Sequence, residues 1–229
     1  MKRLFAVLVL GVCSARADVQ LADSFDGSVI DASKWNVLLP FADSAVSLQN
    51  GFFKSLNRGT LTSVADFNQP YVISGTFRNN NDFSVFGLYL RSDGVRHPND
   101  SFGGVGGIGV GFWGPANFYS PGKLTVTRVG FSGHLYNEPL AFEPNRIYDF
   151  SILDTGTSLT LHIDGNKIFE LPTLHSAGAK VGFSGRESIG GNIGNSDLFQ
   201  IQVAVIPEPS SLSLLLAGGL VALAGRRKA

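Results

Sequence analysis

Two stretches of the 229-residue chain concentrate side chains able to hold a ligand. Arg91-Ser92-Asp93-Gly94-Val95-Arg96-His97-Pro98-Asn99-Asp100 packs guanidinium, carboxylate and amide groups into one polar loop. Trp113-Gly114-Pro115-Ala116-Asn117-Phe118-Tyr119 sets aromatic rings around an amide. An aromatic face combined with planar amide, carboxylate or guanidinium groups is what grips a sugar ring. The candidate ligand-binding residues are therefore Arg91, Asp93, Asn99, Asp100, Trp113, Asn117 and Tyr119. Asp93, Asn99 and Asp100 are also hard oxygen donors that suit Ca²⁺, although no ordered calcium loop surrounds them. A plainer account stands beside this one: Trp113 and Phe118 fill core, and the Asp and Asn residues shape turns.

Catalytic chemistry finds less to work with. Cleaving a glycosidic bond needs two carboxylates, about 5 Å apart in the retaining geometry. Before the C-terminal tail the glutamates are only Glu138, Glu143, Glu170 and Glu187. Asn137-Glu138-Pro139 is similar to a tripeptide of some barrel glycosidases, but that setting is a parallel β/α barrel, and here Pro139 and Pro144 read as brackets of a loop. His97, His134, His162 and His175 have no metal-ligand spacing. A Ser-His-Asp triad needs no adjacency in sequence, yet no Gly-x-Ser-x-Gly elbow is present. The glycines from Gly103 to Gly114 lack the Lys-Ser/Thr and the following helix of a phosphate loop, so they read as a glycine-rich strand. No catalytic residue and no metal site is assigned.

The elements that must position these residues are strands. Val46–Ser55 alternates around Asn50-Gly51, a two-residue hairpin signal. Tyr71–Phe77 and Phe83–Leu90 are rich in aromatic and branched residues, separated by the polar run Asn79–Asp82. Lys123–Val129 alternates. Arg146–Leu153, Thr157–Ile163 and Lys167–Leu171, joined at Asp154-Thr155-Gly156 and Asp164-Gly165, predict a meander, with His162 on its solvent side. Ala179–Ser184 and Leu198–Val205 close the series, and Phe25, Ile30 and Trp35 read as buried anchors of the opening. No window keeps helical spacing over three turns. Strands this short and regular imply an all-β sandwich, with most of the 18 Phe between its sheets. Val-Gly-Phe-x-Gly recurs at Val110, Val129 and Val181 with spacings too unequal for a repeat array, so each reads as a strand end where glycine permits a close sheet-on-sheet approach or a bulge.

Both ends are addresses rather than fold. Lys2-Arg3, the apolar run Leu4–Cys13 and Ala15-Arg16-Ala17 form a signal peptide over residues 1–17, cleaved after Ala17. Cys13 makes a lipoprotein signal the competing reading, disfavoured by Val12. At the other end Pro207-Glu208-Pro209 breaks any regular structure. The uncharged run 210–225 spans roughly 24 Å as a helix, a thin crossing of a ~30 Å bilayer core. Arg226-Arg227-Lys228 then holds the C-terminus on the cytoplasmic side. Removing both ends leaves 12 Lys+Arg against 17 Asp+Glu, a net charge of −5 on a domain that would otherwise look neutral. That balance argues against nucleic acid as a partner. The single cysteine, Cys13, leaves with the signal, so neither disulfide nor thiol chemistry remains.

The tail, 206–229, resembles a PEP-CTERM sorting signal. The resemblance implies recognition by a membrane-embedded exosortase in a Gram-negative cell, with Pro207, Glu208, Pro209, Arg226 and Arg227 as the processing residues alongside Ala15 and Ala17 of the leader. Phe25-Asp26-Gly27 through Trp35, the order Asn145–Phe150 then Leu159–Gly165, and Val181-Gly182-Phe183 before the last strand resemble concanavalin A-like lectin/glucanase domains, the laminin-G type among them. That resemblance implies a jelly-roll sandwich of two antiparallel sheets over residues 18–205. The glucanase branch carries a Glu-x-Asp-x-Glu strand, and no such string occurs here. The lectins of this fold usually hold glycans through Ca²⁺. The expectation is an exported, tail-sorted jelly roll, routed through the secretion machinery, held transiently at the inner membrane, and bound for the cell surface or matrix. There it would bind extracellular polysaccharide without cleaving it. A polysaccharide hydrolase with a non-standard site, and a structural surface protein without a ligand, are the alternatives.

Overall fold

The computed structural model describes residues 18–39, 42, 44–56, 58–68, 70–95, 106–117, 119–128, 133–172, 178–186 and 196–206. Residues 1–17 and 207–229, and with them Ala15, Ala17, Pro207, Glu208, Pro209, Arg226 and Arg227, lie outside this set. Among the described residues there is no helix, hence none long and apolar enough to cross a membrane.

Fifteen strands form the domain: β1 (Asp18–Asp23), β2 (Trp35–Leu38), β3 (Ala45–Leu48), β4 (Phe53–Leu56), β5 (Thr60–Ser63), β6 (Tyr71–Asn79), β7 (Val85–Ser92), β8 (Ile108–Trp113), β9 (Lys123–Arg128), β10 (His134–Pro139), β11 (Ile147–Asp154), β12 (Ser158–Ile163), β13 (Asn166–Pro172), β14 (Lys180–Arg186) and β15 (Ser196–Val205). An eight-stranded sheet runs β13-β12-β11-β6-β15-β4-β3, with β1 also paired to β15. A seven-stranded sheet runs β10-β9-β8-β7-β14-β5-β2. Every pairing is antiparallel.

Local sequence explains most of this. In β6 the residues Tyr71, Ile73, Gly75 and Phe77 are buried while Val72, Ser74, Thr76 and Arg78 are half-buried, the period of two that a strand with one core face requires. The Asn50-Gly51 hairpin forms with φ of 50° and 81°, and the Asp164-Gly165 hairpin with 50° and 76°. Both central residues of such a turn must be left-handed, which Asn, Asp and Gly tolerate best. The β11–β12–β13 meander forms as its spacing predicts, and His162 is half-exposed between buried Leu161 and Ile163.

Aromatic rings fill the space between the sheets. Phe77 stacks on Phe86 with centroids 4.6 Å apart and touches Phe112, Phe142, Tyr148 and Phe150. Phe25, Trp35, Phe53 and Phe183 form a second knot, Trp35 meeting Phe183 edge-on at 5.0 Å. Gly185, from the last Val-Gly-Phe-x-Gly element, faces Ser55 of the opposite sheet; an added Cβ would lie 3.1 Å from the Ser55 Cβ. That is the close sheet approach its sequence suggests. The polar run Asn79–Asp82 leads the chain from one sheet to the other, because β6 and β7 belong to opposite sheets. One expectation is corrected. Glu138 lies in the edge strand β10 rather than in a loop.

Candidate functional site on the outer face of the seven-stranded sheet

Strand β7 is buried along its whole length, unlike β6. Phe86, Leu88 and Leu90 join the inter-sheet core, whereas Val85 and Tyr89 pack with Trp113 and Leu38 in a separate cluster on the outer face. The antiparallel register then fixes the residues of that face in rows. One row reads Asn137, Thr125, Gly111, Gly87, Ser184, Thr60 and Leu38 across the sheet. The next reads His134, Thr127, Gly109, Tyr89, Gly182, Thr62 and Asn36. A third places Trp113 beside Val85 and then Arg186. Glycines at 87, 109, 111 and 182 carry no side chain into the middle of the face, yet they are buried, as are Thr60, Thr62, Tyr89, Trp113, Thr125 and Ser184, so this middle is covered and the face is open only at its margins. Hydroxyls flank this trough, with Tyr89 within it and Trp113 at its end. None of the described residues in these rows is a carboxylate.

Hydrogen bonds hold the lining in place. Trp113 Nε1 donates to Thr125 Oγ1 at 2.7 Å, which fixes the indole against β9. The hydroxyls of Tyr89 and Ser184 are 3.5 Å apart. Tyr89 and Trp113 are buried, and both make further contacts. Tyr119, with its ring 6.5 Å from Trp113, is 43% exposed and marks the accessible rim. Asn117 shapes that rim from inside: its amide donates to the Phe83 carbonyl at 2.7 Å, and its Oδ1 accepts the Tyr119 N–H at 3.0 Å.

The two sequence candidates do not converge. Val85 pairs with Trp113 and Leu90 with Ile108, so the aromatic loop and the polar loop leave from opposite ends of the β7–β8 pair. Asp93 is exposed and accepts the Val95 N–H in a turn. Asn99 and Asp100 lie outside the described residues. Arg91 points inward. It is left-handed (φ 50°) where the β7–β14 register slips, and its Nε donates to Asp154 Oδ2 at 2.8 Å while Nη2 donates to Oδ1. The Asp154 carboxylate raises the guanidinium pKa further. Arg91 is therefore an internal strut between the sheets, not a ligand contact. No group of three His, Cys, Asp or Glu among the described residues could hold a metal ion.

The architecture is that of the concanavalin A-like jelly rolls, a fold shared by lectins and glucanases. Residues 205–228 match the PEP-CTERM protein-sorting motif. A Bacillus licheniformis β-glucanase superposes with a TM-score of 0.59 at 12% identity, over 82% of this chain and 98% of its own. The catalytic domain of a Thermotoga petrophila endo-1,3-β-glucanase (laminarinase) gives 0.60 at 11%, over 85% and 100%. The exoplasmic/lumenal domain of VIP36, in a form bound to Ca²⁺ and Man3GlcNAc, gives 0.58 at 13%, over 82% and 92%. At such identities the likeness shows the fold alone. No curated protein matches the chain.

Proposed function

We propose that the chain is an exported surface or matrix protein whose 18–205 domain binds extracellular polysaccharide without cleaving it. The leader 1–17 directs export. The tail 206–229 crosses the inner membrane as a helix over 210–225 until an exosortase, recognising Pro207-Glu208-Pro209, processes it. The observation that carries the binding reading is the outer face of the seven-stranded sheet: hydroxyls and aromatic rings border a glycine floor, and no described carboxylate lies in its rows. Among the described residues of these rows, glycoside hydrolysis by the two-carboxylate route finds no acid and no nucleophile. Tyr119 beside Trp113 offers the exposed ring on which a sugar stacks.

The test is incubation of the full chain, in detergent, with a panel of polysaccharides with and without Ca²⁺. Retention of at least one polymer at undiminished chain length is the expected result. A rise in reducing ends would make the protein a hydrolase, and no retention of any polymer would leave it a structural surface protein.

A further inference from the structure

A second groove lies on the opposite sheet, with a volume of about 440 Å³, inside the range of small-molecule sites. It forms where β15 slips register against β6 between Leu198 and Gln200. Leu198 and Ile201 both enter the core. The extra residue therefore turns two consecutive side chains, Phe199 and Gln200, to the outer face, which is how a bulge re-aims side chains. Gln202 follows on the same face and pairs across to Ser74, while Gln200 pairs to Thr76 and Thr76 to Asp149. Ser74, Asp149, Gln200 and Gln202 all line the groove, and none of these side chains has a hydrogen-bond partner among the described residues. The bulge's other outward side chain, Phe199, packs against Phe52 at 5.5 Å with the Arg78 guanidinium 5.2 Å from its ring centre, and stands outside the groove lining.

The unused groups define the ligand. Lys34, the cation of the lining, already donates to the Ala22 carbonyl at 3.0 Å and lies within 4 Å of Asp23 and Asp31, so nothing calls for an anion. One free carboxylate accepts hydrogen bonds, two carboxamides both donate and accept, and one hydroxyl does the same. Neighbouring hydroxyls on a sugar ring have the matching pattern. We propose that this groove is a second binding site, for a neutral saccharide unit, on the sheet opposite the trough described above.

Saturation-transfer NMR on the full chain in detergent, with methyl α-D-glucoside, methyl α-D-mannoside and methyl β-D-galactoside as probes, tests it. At least one glycoside is expected to show transfer. The D149N/Q200A/Q202A variant should weaken that transfer at least tenfold with an unchanged thermal midpoint. Transfer that survives in the variant would place the sugar elsewhere and overturn the groove while sparing the first site. Absence of transfer from all three glycosides, or a response only to calcium or ethanolamine, would also overturn it.

Discussion

Arg91 carries the chain's most instructive residue-scale lesson, because alternation alone assigns it to the wrong side. Two residues after Tyr89, it should share the outer face. The slip in the β7–β14 register and its left-handed backbone turn it inward to a fully buried Asp154. Leaving either partner of such a pair alone in the interior costs roughly 3–5 kcal/mol. The Tyr71 hydroxyl lies in the same corner, buried and without a well-formed hydrogen bond. Burial first, then the Asp154 charge, push its pKa far above the ordinary phenol value. Tyr71 therefore stays protonated in the folded chain but ionises near pH ~10 once unfolded. Its contribution is complete below that pH and is lost as the medium becomes more alkaline. Tyr136 and Tyr148, also raised by burial, act in the same direction. Thermal melts should show stability falling above about pH 10, and Tyr71→Phe should flatten part of that fall while leaving neutral-pH stability nearly unchanged. An identical alkaline slope in the variant would refute the assignment.

At the scale of elements, the hairpin tips, the meander and the long strands were readable because turn chemistry and a period of two are local properties. The four-residue strands β2 and β5 were not, since such short stretches hold barely two alternations and β5 is buried on both sides. The site was half legible. Trp113, Asn117 and Tyr119 are adjacent, as their spacing suggests. The glycine trough, however, appears only when five strands align, and no single stretch of sequence contains that register. Gly75 shows what register demands. A Cβ there would come within 2.3 Å of the Gln200 carbonyl and 2.9 Å of the Phe150 ring. Overpacking against a fixed backbone costs about 1–3 kcal/mol or more. Gly75→Ala should lower the urea midpoint accordingly with an unaltered m-value. Wild-type stability in that variant would mean that β6 and β15 can part freely.

For the whole molecule, the domain and its addresses are separable in sequence and should be separable in the cell. Deleting residues 207–229 should move the protein from membrane fractions to the soluble exported pool, scored by fractionation and immunoblotting; unchanged retention would refute the anchor. The fold also bears on how the proposed anchor would be loaded. β15 is the last strand made, yet it pairs with β1, β4 and β6, and Asp18 meets Val205 at the point where the chain leaves the sheet. The sandwich thus cannot close until its final strand has been made, so on the proposed export route the polypeptide would reach the far side of the membrane as a pliant thread. Once closed, a tug on the tail enters through a strand clamped on both flanks. Its hydrogen bonds resist together in shear instead of opening one by one, so were the domain tethered as proposed, drag on it would be borne by a strand paired on both sides.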